Sequence, residues 1–156
     1  MSRYERSVEI AAPVERVFEF HLDTRNLVRI SPGWIRVVVI GESGSYEAGT
    51  KRVRIRMWLL GLFPSTVDIL FVRFEPPHAL DDVQERGPFA EWRQTRRFAS
   101  VDHRCCLLHD RVEYRLPLGV LGRIADRFLV RPLVRAMFSE RQKRTRDLIL
   151  HSLTDR

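Results

Sequence analysis

Six consecutive stretches of this chain alternate apolar and polar residues with a period of two. They span residues 35–43 (IRVVVIGES), 49–60, 65–75, 79–86, 90–100 and 105–117 (CCLLHDRVEYRLP). Gly/Ser, Gly-Leu-Phe-Pro, Pro-Pro, Gly-Pro and Asp-His turns separate them, and connections this short join antiparallel neighbours. An antiparallel sheet with one apolar face needs a cover on that side. Residues 119–153 supply it as a long amphipathic segment interrupted at Pro132. Ahead of the six runs, residues 6–12 (RSVEIAA) alternate as a further strand and stop at Pro13. PVERVFEFHLD then carries proline at a helix start, early acids, and Val14, Val17, Phe18 and Leu22 at helical spacing. TRNLVRISPGW reads as a second short helix, broken by Pro32 and Gly33. The expected class is α+β: a seven-stranded antiparallel sheet, one long C-terminal helix across its apolar face, and two short helices plugging one end.

Without repeats or a linker, the 156 residues read as a single domain, 1–156, long enough to bury roughly two thirds of its unfolded surface. It needs no disulfide. Cys105 and Cys106 are adjacent, and neighbours on a strand point to opposite faces, so they are expected as reduced thiols. The N-terminus MSRYERSVEIAAP has charges where a secretory signal has its apolar core, and the longest apolar run, MWLLGLF, is too short to span a bilayer. A cytoplasmic location is the expectation. The net charge of +7 rests mostly on arginine; it permits an anionic partner without identifying one.

Residues 81–98, DDVQERGPFAEWRQTRRF, are the most informative stretch. Read at a period of two on either side of RGPF, one parity collects Asp82, Gln84, Trp92, Gln94, Arg96 and Phe98. A solvated sheet face rarely carries Trp and Phe, and a dry core rarely carries Asp and Arg unless they are paired. The mixture fits a pocket wall. A hairpin turning at RGPF sets Gln84 opposite Trp92 and Asp82 opposite Gln94; a hairpin turning about Asp102 sets Gln94 opposite Asp110, Trp92 opposite Val112 and Arg96 opposite Leu108. Asp82, Gln94 and Asp110 then form a lateral row with Arg96 diagonal to both acids. Trp92, Phe98, Val112 and Tyr114, with Val53, Ile55, Met57, Val67, Ile69 and Phe71 from neighbouring strands, supply apolar walls. A mostly apolar lining with a few polar groups is the usual makeup of a small-molecule site. Two plainer readings stand beside it. The polar row can be a self-satisfied network that only fixes register, or the opposite parity, with Arg93, Arg97, His109, Arg111 and Arg115, can be the inner one. The apolar content favours the first parity.

PVERVFEF with NLVRISP, DVQERGPFAEW, and DRVEYRLPLGVLG leading into the last helix carry a resemblance over essentially the whole chain. The sequence resembles the helix-grip fold of the START-related superfamily, also called SRPBCC, in a bacterial branch labelled polyketide cyclase/dehydrase-like or cell-division-inhibitor-like. The resemblance implies a ligand cavity between a curved sheet and the C-terminal helix, and implies a small-molecule pocket more firmly than any reaction. It places His21 and Asp23 at the pocket mouth, although a His at a helix C-terminus is also a simple dipole partner. Relatives carry histidines where this chain has Gln94 and Arg96, a departure that removes the most obvious general base. The remaining catalytic candidates are Asp82 or Asp110 as acid/base, Arg96 as an oxyanion or enolate stabiliser, and Tyr114 as a proton donor.

The five histidines show no metal-ligand spacing, and no P-loop, dinucleotide fingerprint or G-x-S-x-G occurs. No metal or cofactor is expected. On the last helix, Arg123, Arg127, Arg131 and Arg135 form a basic stripe, and Leu121, Ile124, Ala125, Phe128, Leu129, Leu133, Met137 and Phe138 the expected buried side. Such a stripe is usually a solvated face. At most it makes transient contact with anionic membranes, and no nucleic-acid partner is expected. The chain is therefore expected to bind a hydrophobic small molecule (lipid, quinone or polyketide-like) as a monomer or homodimer. The expected contacts are Gln84, Trp92, Gln94, Arg96, Phe98, Asp110, Val112, Tyr114, Val67, Ile69, Phe71 and Phe128. The alternatives are an aromatase/cyclase or dehydrase, and a non-catalytic regulator or lipid chaperone acting through its basic surface.

Overall fold

The computed structural model describes residues 1–155. In chain order the elements are β1 (Ser2–Ile10), α1 (Val14–Leu22), α2 (Thr24–Ile30), β2 (Ile35–Ser43), β3 (Arg52–Leu59), β4 (Phe63–Glu75), β5 (Ala79–Arg86), β6 (Glu91–Asp102), β7 (Cys105–Arg115), α3 (Gly119–Ala125), a π-helical turn (Asp126–Val130) and α4 (Arg131–Thr154). The strands form one curved antiparallel sheet in the order β1-β7-β6-β5-β4-β3-β2. Helix α4 packs on β1 and α2, and α1 packs on β6 and β7. This is the expected α+β helix-grip architecture.

β1 begins at Ser2, earlier than the alternation at residues 6–12 suggests, because its charged N-terminal half has a partner in β7. Arg3 lies opposite Glu113 and Glu5 opposite Arg111, with Arg111 Nε 3.6 Å from Glu5; opposite charges facing across a ladder favour pairing. The β5–β6 ladder sets Asp82 opposite Gln94 as expected and ends at Val83–Arg93, short of Gln84 and Trp92. The β6–β7 register differs from expectation by two residues. Gln94 faces Val112, Trp92 faces Tyr114, Arg96 faces Asp110 and Phe98 faces Leu108. The cause lies at the tip: the turn is His103-Arg104, stabilised by the Arg104 amide donating to Asp102 Oδ1 (2.7 Å), with a bulge between Ser100 and Asp102. A shift of two changes every partner and leaves every side chain on its face.

The interruption expected at Pro132 takes the form of the π turn just before it. Proline lacks the N–H that would bond the carbonyl of Phe128; the Arg131 amide instead donates to the carbonyl of Asp126, a bond of π-helical span. Two apolar clusters result. The larger joins α1 to the sheet and α4 through Val17, Phe18, Phe98, Leu108 and Ile149. The smaller joins β7 to the start of α4 through Val112, Tyr114, Val134 and Phe138.

The front of the C-terminal segment departs from expectation. Leu121, Ile124, Phe128 and Leu129 are 69, 53, 74 and 59% exposed, and Ala125 is exposed too. β7 ends at Arg115, and α3 makes its main contacts with the π turn. Only from Leu133 onward does the expected apolar side lie against other elements, with Phe138 fully buried. The front is tethered through Asp126, buried although charged, which accepts from Tyr114 Oη (2.6 Å), Arg131 (3.0 Å) and the Ser2 hydroxyl. Arg131 thus belongs to an ion pair and not to a free basic stripe.

Candidate functional site

Between the sheet and α4 lies a cavity of about 460 Å³, within the range of small-molecule sites. β2, β3 and β4 line it with apolar side chains such as Ile55, Met57, Val67, Ile69 and Phe71. α1 and α2 close one end with Phe20, Leu27 and Ile30. The lining residues exposed to solvent, Phe63, Pro64 and Pro88, mark the mouth. Near the mouth an aromatic group gathers: Trp92 lies 4.8 Å from Phe89 and is stacked on Phe138 at 6.3 Å.

A polar belt crosses the cavity deeper in. The Arg96 guanidinium donates to the Asp82 carboxylate. Gln94 Nε2 donates to Asp110 Oδ1 (3.2 Å), and Gln142 Nε2 donates to Asp110 Oδ2 (2.9 Å) and to the carbonyl of Arg6 (2.9 Å). Both carboxylates are therefore bonded within the protein, as buried charges require. Burial pushes the Asp82 carboxyl above its ordinary range, opposed by Arg96 and Arg141. His21 donates from Nδ1 to the carbonyl of Val17 (2.8 Å) and sits edge-on to Phe98. Burial, and then the charge of Arg96, depress it to about 4, so it is a neutral imidazole at physiological pH. Its bond to Val17 matches the plain helix-terminus reading, while its ring also lines the cavity. Tyr46 donates to the carbonyl of Leu22 (3.1 Å), and burial raises its phenol to about 12.

Of the residues singled out by sequence, Asp82, Gln84, Trp92, Gln94, Arg96, Asp110, Val67, Ile69 and Phe71 line this one cavity. The other four do not. Phe98 is covered by α1, edge-on to Phe18 at 5.2 Å. Val112 and Tyr114 are 1% exposed and belong to the cluster beneath the start of α4. The Tyr114 hydroxyl is committed to Asp126, and burial with that bond raises its pKa far above the ordinary phenol, which removes it as a proton donor in the cavity. Phe128 points away on the exposed π turn. Gln84 keeps part of its amide for the turn, donating to the carbonyl of Phe89 (2.8 Å).

The sequence reading placed Met137 and Phe138 on the buried side of the last helix but missed its polar contribution, Arg141, Gln142 and Thr145. Met137, Arg141 and Thr145 at four-residue spacing, with Phe138 and Gln142 beside them, present one face to the cavity. Their helical spacing was the available signal, hidden inside the charged run SERQKRTRD. Arg141 is held at about 10, below the ordinary guanidinium, by burial and then by Arg96. Three polar atoms of the belt are buried without a partner among the described residues: Arg96 Nε, Arg141 Nε and Gln142 Oε1.

A curved antiparallel sheet wrapped on a long helix, with a polar-belted cavity between them, defines a protein of the helix-grip class. Within it, residues 1–149 match the family described as polyketide cyclase / dehydrase and lipid transport, and the chain belongs to that family. No curated protein matches the chain. Among solved structures it is similar to TTHA0849 from Thermus thermophilus (17% identity, 97% of this chain and 99% of that one, TM-score 0.77). It is also similar to a START superfamily protein from Mycobacterium smegmatis (14%, 96% and 97%, 0.70). A third is the Zhui aromatase/cyclase from a Streptomyces species (18%, 97% and 92%, 0.68). At these identities the likeness concerns the fold.

Proposed function

We propose that this chain binds a hydrophobic small molecule, of lipid, quinone or polyketide type, inside the cavity between sheet and α4. The observation that carries this is the combination of about 460 Å³ of mostly apolar space with one deep polar belt; the first supplies affinity and the second orientation. Family membership supports it. Native mass spectrometry of protein purified from its own source is expected to show excess mass that is lost on denaturation. A neutral dye such as Nile red should also bind the emptied protein and lose affinity in Trp92→Ala. Absence of both the excess mass and dye binding would sink the reading.

A cyclase or dehydrase is the second reading, favoured by the Arg96–Asp82 pair facing the cavity and by the aromatase/cyclase among the similar folds. In that case Arg96→Ala and Asp110→Asn abolish turnover of a polyketide-like substrate while dye binding persists.

A third reading concerns entry. Leu60, Leu62 and Phe63 on the β3–β4 turn, and Leu121, Phe128 and Leu129 on the C-terminal segment, are exposed apolar groups; Phe63 also lines the cavity, and Arg123 and Arg127 lie within the second set. Such a rim suits loading from an anionic bilayer surface. The chain is expected to cosediment with phosphatidylglycerol vesicles and not with phosphatidylcholine vesicles, and Phe128→Ser with Arg127→Glu should weaken this. Equal binding to both lipids would sink the charge argument. No helix among the described residues is long and apolar enough to cross a membrane.

A further inference from the structure

The belt holds two arginines, and only one has a carboxylate. Arg96 donates to Asp82, and both oxygens of Asp110 are taken by Gln94 and Gln142. Arg141 forms no ion pair with any described residue, and its Nε is buried without a partner, as is that of Arg96. A half-made set of charge-assisted donors in a buried place is costly. Each guanidinium is backed by an aromatic ring, Arg96 at 5.8 Å from the Phe71 centroid and Arg141 at 5.9 Å from that of Phe138. Both arginines line the cavity.

The local charge balance points the same way. Asp82 and Asp110 formally match the two arginines, yet at Arg141 the charge of Arg96 outweighs that of either acid, and at neutral His21 it outweighs that of Asp110. Formal charge is balanced at the deep end, and the mismatch is one of pairing: neither carboxylate accepts from Arg141. Planar guanidinium forks match carboxylate geometry better than any neutral oxygen.

Resting on the cavity reading above, we propose that the molecule it takes is an amphipathic acid, bound with its carboxylate inward between Arg141 and Arg96 and its chain running toward the mouth. Between Val130 and Arg141, both lining residues, eleven residues of helix run about 16 Å along the cavity wall. The wall along that path is Leu133, Val134, Met137 and Phe138, which suits an acyl chain. Gln142 Oε1, buried and lacking a donor, is placed to accept from a hydroxyl near the carboxylate, so a hydroxy acid is the better fit.

The test is displacement of Nile red from the full chain by laurate, 3-hydroxylaurate and methyl laurate. Laurate should compete at least about tenfold more tightly than its methyl ester, the scale of a charge-assisted bond, and 3-hydroxylaurate should compete more tightly still. Arg141→Met should erase the laurate preference while keeping dye binding. In the absence of added acid it should also raise Tm, because an unpaired buried charge is gone. Arg127→Gln, on the exposed turn, should change neither. Equal competition by laurate and methyl laurate in the unmutated protein overturns the proposal and leaves the cavity reading standing. Failure to bind Nile red at all overturns both. A 3-hydroxylaurate weaker than laurate removes the role of Gln142. An acid preference surviving in Arg141→Met but lost in Arg127→Gln assigns the effect to the surface and overturns the proposal.

Discussion

The two halves of the C-terminal segment share one helical pattern and meet opposite fates. In residues 119–130 the large apolar side chains stand in solvent; in residues 131–154 Val134, Phe138 and Ile149 are no more than 4% exposed. Each half alternates arginine with leucine, isoleucine or phenylalanine at helical spacing. Periodicity therefore reports that a helix has an apolar side, and whether that side is buried depends on what lies beneath it. Under α4 lie the sheet and α2, whereas α3 extends past the end of β7 at Arg115.

Paired substitutions turn this contrast into numbers. Phe138→Ala should destabilise the fold by about 3–5 kcal/mol, the usual cost of emptying a buried aromatic site, as measured by denaturant unfolding. Asp126→Ala should cost about 1–3 kcal/mol, because it strips the Tyr114 hydroxyl of its buried acceptor; it should also make α3 more protease-sensitive. If Asp126→Ala proved neutral, the tether would not hold the front half.

A smaller effect concerns pH. His21 is held at about 4 in the fold, against an ordinary value near 6.5 in the unfolded chain. Below 6.5 the unfolded chain gains a proton that the folded one refuses. The His21 contribution to stability is full above 6.5 and declines as the pH falls from there toward 4. The difference between unfolding curves of the native chain and His21→Asn should carry that slope; a flat difference would show that His21 titrates normally. Smallest of all, Phe128→Ala should alter stability by less than about 0.5 kcal/mol.

Much of the architecture was legible in the sequence because strand period and turn chemistry are local. The β2 and β5 bounds match the alternation, and the inner parity of β5, β6 and β7 follows from the mixture of Trp with Asp and Arg. Partner identity across β6 and β7 was not legible, since it hung on whether the tip centred on Asp102 or on His103-Arg104. Pocket membership was legible only in part. Val112 and Tyr114 share the face of Gln94 and Arg96, yet the start of α4 seals them off, and no strand pattern records where a helix lands. Arg141 was invisible for a related reason: a charged residue in a charged run reads as surface until a sheet is placed opposite it.

The π turn carries a consequence for the phase of the helix. One added residue advances an α-helical face by about 100°. An i, i+4 series drifts by about 40° per step on a regular helix, so residues 121 and 137 would lie about 160° apart; the extra residue in the turn at 126–130 brings them to about 60°. Deleting a single residue there would move the two ends of the apolar series further out of phase. The exposure of the front half therefore follows from the sheet ending beneath it, and one codon at the turn sets only the phase between the two halves.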